Sequence, residues 1–116
     1  EWRADGPLAL RLRYKMSLAG TDIAERSVDE MRHIGMKDEV RLAAWFTQMR
    51  SIFPDVSEGT DLTGIRTAEG ETIFYKDGSE IGRVRDPEFG RYFFGIWLDE
   101  KTSEPDLRRA LLREHA

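Results

Sequence analysis

The most constraining feature of this chain is a strict alternation between positions 8 and 16. Leu8, Leu10, Leu12, Tyr14 and Met16 interleave with Ala9, Arg11, Arg13 and Lys15. Successive side chains of a strand point to opposite faces, so a period of two predicts a strand with one apolar face and one basic face. Such a face needs an apolar cover, and the next two segments are built to supply it. Thr21 can cap a helix that has Asp22 and Glu25 in its first turn, where negative charge suits the helix dipole. Ile23, Ser27, Val28, Met31 and Ile34 then share one face, and Gly35 is placed to end the helix. A second helix is predicted from Asp38 to about Phe53, where Pro54 stops it. Its apolar positions read as Val40, Ala43, Ala44, Phe46, Met49 and Phe53, with Trp45 at the margin.

Three short strands follow, near residues 61–67, 72–76 and 80–85, separated by Ala68-Glu69-Gly70-Glu71 and by Asp77-Gly78-Ser79. An Asp-Gly pair between β-rich runs favours a tight hairpin, because both turn residues must accept positive φ. Asp86-Pro87 then opens a third helix bearing Phe89, Tyr92, Phe93, Phe94, Ile96, Trp97 and Leu98. Ser103 and Asp106 resemble a capping box for a short last helix through Leu107, Leu111 and Leu112. The order β-α-α-β-β-β-α-α predicts an α+β fold with an antiparallel sheet.

Bulk properties narrow the function classes. A length of 116 residues suits one domain. The net charge of −4 counts against nucleic acid as the main partner. Without cysteine there are no thiolate nucleophiles, disulfides or sulfur-held metals. No apolar run approaches the roughly 20 residues that cross a bilayer. The chain opens on Glu1 rather than Met, which implies processing, trimming or excision from something longer.

Catalytic and metal chemistries find little support. Glu30 and His33 have the i, i+3 spacing of a carboxylate–histidine metal pair, but such sites need two of these motifs, and the other histidine is His115 at the far end. Gly-x-Ser-x-Gly and phosphate-cradling glycine loops are absent. The pairs Asp29/Glu30, Asp38/Glu39 and Asp99/Glu100 read as solvated helix faces and ends. More informative is the stripe Phe89, Phe93, Trp97 at i, i+4 and i+8, widened by Tyr92 and Ile96. It reads as core packing or as one wall of an apolar pocket. Gly90 and Gly95 weaken that helix by about 1 kcal/mol each, so a close neighbour is expected to offset them.

Leu18-Ala19-Gly20 with Ala24-Glu25-Arg26-Ser27, then Phe53-Pro54-Asp55-Val56, Asp86-Pro87-Glu88-Phe89, Phe94-Gly95-Ile96-Trp97-Leu98 and Thr102-Ser103-Glu104-Pro105, together resemble the bacterial chalcone-isomerase-like proteins. The resemblance runs over nearly the whole chain. It implies an open-faced sandwich, an antiparallel sheet with helices on one side, as a single domain over residues 1–116 that forms the C-terminal portion of a longer family domain. In the enzymes of that family a cleft between sheet and helices cyclises a flavonoid, using an arginine and a threonine from early strands, a tyrosine and an asparagine on one helix, and a hydroxyl on a later one. By position the tyrosine falls on Ile23, the asparagine on Glu30 and the later hydroxyl near Ile96; the arginine and early threonine fall before Glu1.

The resemblance therefore implies a non-catalytic binder of an apolar small molecule such as a fatty acid, with no catalytic residue, cofactor or metal. Its expected ligand contacts are Tyr14, Ile23, Ser27, Glu30, Phe93, Ile96 and Trp97. Two alternatives stand beside it. One is an isomerase or intramolecular lyase acting on a non-flavonoid substrate through Glu30. The other is an interaction module that self-associates through an exposed sheet edge or meets a partner at the Arg11/Arg13/Lys15 face. Family analogy also suggests export to the periplasm or beyond.

Overall fold

A computed structural model describes residues 6–114. It contains β1 (Leu8–Arg13), α1 (Gly20–His33), α2 (Glu39–Ile52), β2 (Asp61–Arg66), β3 (Thr72–Lys76), β4 (Ser79–Val84), α3 (Pro87–Leu98) and α4 (Pro105–Glu114). The strands form one antiparallel sheet in the order β1-β2-β3-β4. The α+β fold and the element order are those expected from the sequence. The hairpin turn also has the predicted form: Asp77 and Gly78 have φ of 48° and 90°, and Lys76 pairs with Ser79.

The alternating strand is shorter than its pattern. β1 ends at Arg13, and Met16 is 61% exposed. The ladder stops because the chain turns away to bridge Leu18 to Val56, while the Tyr14 N–H donates to the Thr60 carbonyl. The basic face is partly neutralised. Asp61, paired with Arg13 in the β1–β2 register, accepts from Arg11 Nη2 at 2.6 Å and Arg13 Nε at 3.0 Å. Among the described residues, no strand pairs the outer edge of β1.

Helix ends differ from expectation in two places. Ala19, not Thr21, is the N-cap of α1 and has no side-chain bond; the orphan Gly20 N–H donates instead to Asp55 Oδ1 at 2.9 Å. Ser103 does not cap α4. Its hydroxyl donates to Glu30 Oε1, and Thr102 Oγ1 accepts from the Glu104 N–H. Asp38 and Asp86 cap α2 and α3 as the sequence suggests.

The buried face of α2 is rotated from the predicted one. Leu42, Trp45 and Met49 are buried, Ala43 and Ala44 are exposed, and Val40 is 82% exposed. Apolar residues surround this helix, so their spacing alone selects no face. Tertiary partners select it: Trp45 Nε1 donates to Asp86 Oδ2 at 3.2 Å, and its ring meets Phe89 edge-on at 5.6 Å.

Helix α1 lies chiefly on α2 and α3, whereas α2 reaches the sheet at β4 and α3 reaches it at β3. The cover is therefore tightest over the β3–β4 half. Beneath α3 the close neighbour expected of Gly90 is the sheet itself. A Cβ there would come within 2.8 Å of Thr72 Oγ1 and 3.1 Å of Arg66 Nε. Arg66 is buried and its Nη2 donates to the Pro87 carbonyl at 3.0 Å, holding the first turn of α3 against β2.

Leu42→Ala should cost about 2–5 kcal/mol of stability through cavity formation, while Val40→Ala stays within about 0.5 kcal/mol, both read by urea denaturation. Hydrogen bonds from Arg13 and then Arg11 hold the Asp61 carboxyl at about 2, below its ordinary 3.8. A depressed carboxyl stabilises the folded state above the unfolded value, and that contribution disappears as pH falls through the folded value. Asp61→Asn should therefore lower stability at neutral pH and flatten its loss between about pH 4 and pH 2.

Candidate functional site

The looser half of the cover leaves a cleft of about 460 Å³ between α1, the end of α3 and the β1–β2 side of the sheet. Its floor is the inward face of the two strands: Leu10 and Leu12 from β1, Leu62 and Gly64 from β2, with Phe74 of β3 behind. Alternation puts these residues on the inward face, which is apolar here and turns polar only at Arg66, under the start of α3. Ile23 and Ser27 of α1 form one wall and Phe93, Ile96 and Trp97 of α3 the other. Leu18 and Phe53 close one end. The volume falls within the roughly 300–1,000 Å³ of small-molecule sites, and the lining has their usual apolar character.

All seven residues singled out from the sequence, Tyr14, Ile23, Ser27, Glu30, Phe93, Ile96 and Trp97, border this one cleft. They do so in different ways. Phe93 belongs to the core as much as to the cleft: it stacks on Phe89 at 5.4 Å and meets Phe53, Phe74, Phe94 and Trp97. Phe89 is fully buried, so the aromatic stripe is core at its start and cleft wall at its end, where Trp97 is half-buried. The Ser27 hydroxyl donates to the Ile23 carbonyl one turn back at 2.7 Å, which uses its proton within the helix. Tyr14 is half-buried, and burial pushes its phenol above the ordinary value, so it is neutral at physiological pH.

Charge is confined to the mouth. Arg13, Asp22, Arg26, Glu30 and Glu104 border it, together with Ser103. Glu30 Oε1 accepts from Ser103 Oγ at 2.6 Å, tying α1 to the α3–α4 connection, and Glu30 Oε2 lies 3.8 Å from Arg26 Nε. In the sequence, Arg26 and Ser103 belong to the segments that carry the family resemblance, and Ser103 also reads as a helix cap. The Arg26–Glu30 pair is local, at i, i+4, whereas the Ser103–Glu30 bond joins elements more than 70 positions apart, for which no local signal exists.

The lining suits contact with an apolar body. Ile23 and Ile96 offer neither donor nor acceptor side chains to a reacting atom. His33 is exposed on α1, and His115 lies outside the described residues. Among the described residues, no three His, Cys, Asp or Glu side chains gather in a way that could hold a metal ion, and no helix is long and apolar enough to cross a membrane.

Comparison with known proteins agrees with this geometry. The pattern of the chalcone isomerase-like family matches residues 2–113. No curated protein matches the sequence. Among solved structures, the crystal structure of a fatty-acid binding protein from Arabidopsis thaliana superposes with a TM-score of 0.70 at 11% identity. The match covers 93% of this chain and 56% of the plant protein, so this chain spans little more than half the length of that relative. At such low identity the likeness speaks for the fold.

Proposed function

The chain belongs to the chalcone isomerase-like family, and on that premise we propose that it is a non-catalytic binding protein for an apolar small molecule, a fatty acid or another long-chain amphiphile. The observation that carries this reading is the apolar cleft itself. Its floor and walls are mostly leucine, isoleucine and aromatic side chains, and four of its five charged lining residues, Arg13, Asp22, Arg26 and Glu104, are exposed to solvent. The two positions that by analogy would hold hydroxyl groups in an isomerase are Ile23 and Ile96, 9% and 7% exposed. Each replaces a hydrogen-bonding group by hydrocarbon, which removes orientation of a flavonoid and adds apolar surface. The ligand of the similar plant protein supports a hydrocarbon chain as the occupant.

Burial of such a chain supplies the affinity, at about 0.8 kcal/mol for each methylene removed from water. The mouth keeps the polar end solvated, as amphiphile sites require. Export to the periplasm or the cell exterior is the proposed location, on family analogy.

Ile23→Trp tests the site with little disturbance of the core, because the larger ring fills the cleft rather than opening a cavity. With a fluorescent fatty acid as probe, this variant should lose at least about tenfold in affinity, equivalent to about 1.4 kcal/mol, while keeping its circular dichroism spectrum and thermal midpoint. Unchanged binding in a folded Ile23→Trp protein would place the ligand elsewhere. Phe93→Ala is a poorer choice, since a buried phenylalanine truncated to alanine costs about 3–5 kcal/mol of stability.

A further inference from the structure

The charged groups at the mouth are not equivalent. Arg13, Asp22, Arg26 and Glu104 are exposed, whereas the Glu30 side chain is only 19% exposed. Its cationic neighbour Arg26 is 75% exposed and stands 3.8 Å away, beyond hydrogen-bond reach. Ser103 occupies Oε1 at 2.6 Å, and among the described residues no donor hydrogen-bonds Oε2. A sheltered carboxylate therefore borders an apolar cleft with acceptor capacity to spare.

Granting the apolar-cleft reading above, we infer that Glu30 accepts a hydrogen bond from an uncharged, donor-bearing head group. The cleft accordingly takes a long-chain alcohol or monoacylglycerol in preference to a free fatty carboxylate. Screening decides the preference. A charge in a sheltered position acts through a lower effective dielectric than one in water, so Glu30 outweighs Arg26 at the head-group position. A ligand carboxylate would face Glu30 directly. It would also compete for Arg26 with Asp22 and Glu30, which stand four residues to either side of it along α1. A hydroxyl has neither penalty and gains a charge-assisted hydrogen bond. The neutral Tyr14 phenol brings no opposing negative charge.

Three probes of equal chain length read this out by calorimetry: dodecanol, dodecyl methyl ether and dodecanoic acid. The ether cannot donate, so the change in the alcohol-to-ether ratio between wild type and Glu30 variants reads the hydrogen bond, the contribution of the ether's extra methyl cancelling between proteins. The wild-type protein should bind the alcohol about tenfold more tightly than the ether. Glu30→Leu should bring that ratio to within about twofold and raise affinity for the acid. If Glu30→Leu does not fold, the isosteric Glu30→Gln is read instead. Its neutral acceptor should leave a ratio of about threefold, again with tighter acid binding. A ratio equal in wild type and variants overturns the inference. So does an acid affinity that depends on Arg26, tested with Arg26→Gln, and not on Glu30. If none of the three probes binds the wild-type protein, the apolar-cleft reading itself falls and this inference with it.

Discussion

The ring of Phe93 is the contact on which the rest of the structure depends. Five aromatic side chains meet it: Phe53 at the end of α2, Phe74 from β3, and Phe89, Phe94 and Trp97 from its own helix. It thereby fixes α3 to the sheet and to the end of α2 at one point. Edge-on and offset contacts of this kind add about 0.5–1.5 kcal/mol each beyond the area they bury. With α3 fixed there, its last turn overhangs the β1–β2 half of the sheet, where α1 does not press down. The cleft follows from this geometry, since α1 rests chiefly on the other helices and α3 meets β2 only at its inner side, through Phe94 on Gly64 and Arg66 on Pro87.

That asymmetry reconciles two demands on the same strands. Leu10 and Leu62 must be apolar to be compatible with a covered sheet, and the same side chains form the floor of a space able to hold a hydrocarbon. Charged groups border the cleft from α1, from the α3–α4 connection and, at Arg13, from the end of β1. Ser103 holds Glu30, and through it one side of the mouth to the other. Under the proposed function, interior and rim would divide the work: apolar burial would provide affinity, and a small number of polar atoms would distinguish one head group from another.

Much of the fold was legible in local chemistry. Alternation marked β1, Asp77-Gly78 marked the hairpin, and Asp86-Pro87 marked the start of α3, because each signal acts within a few residues. The face of α2 was not legible. Its choice of Leu42 and Trp45 over Val40 depends on the distant Asp86 and Phe89, which spacing along the helix cannot reveal. The caps expected at Thr21 and Ser103 fail for the same reason: Asp55 takes the Gly20 N–H and Glu30 takes the Ser103 hydroxyl from across the fold. Of the seven expected contacts, Phe93, Ile96 and Trp97 were visible as an aromatic stripe at helical spacing, whereas Ile23 and Glu30 came from the family resemblance, which carries tertiary information that periodicity lacks. Arg66 escaped notice because an arginine in a short strand ordinarily reads as solvent-facing, and only its buried bond to the Pro87 carbonyl shows otherwise.

The account rests on occupancy of the cleft by a hydrocarbon-chain molecule. Mass spectrometry of an organic extract from the purified, folded protein tests that most directly, with Ile23→Trp extracted in parallel. The account predicts a long-chain amphiphile in near-stoichiometric amount from the wild-type protein and its loss from the filled-cleft variant. An empty extract, together with failure of the folded wild-type protein to take up added long-chain ligand, would contradict it.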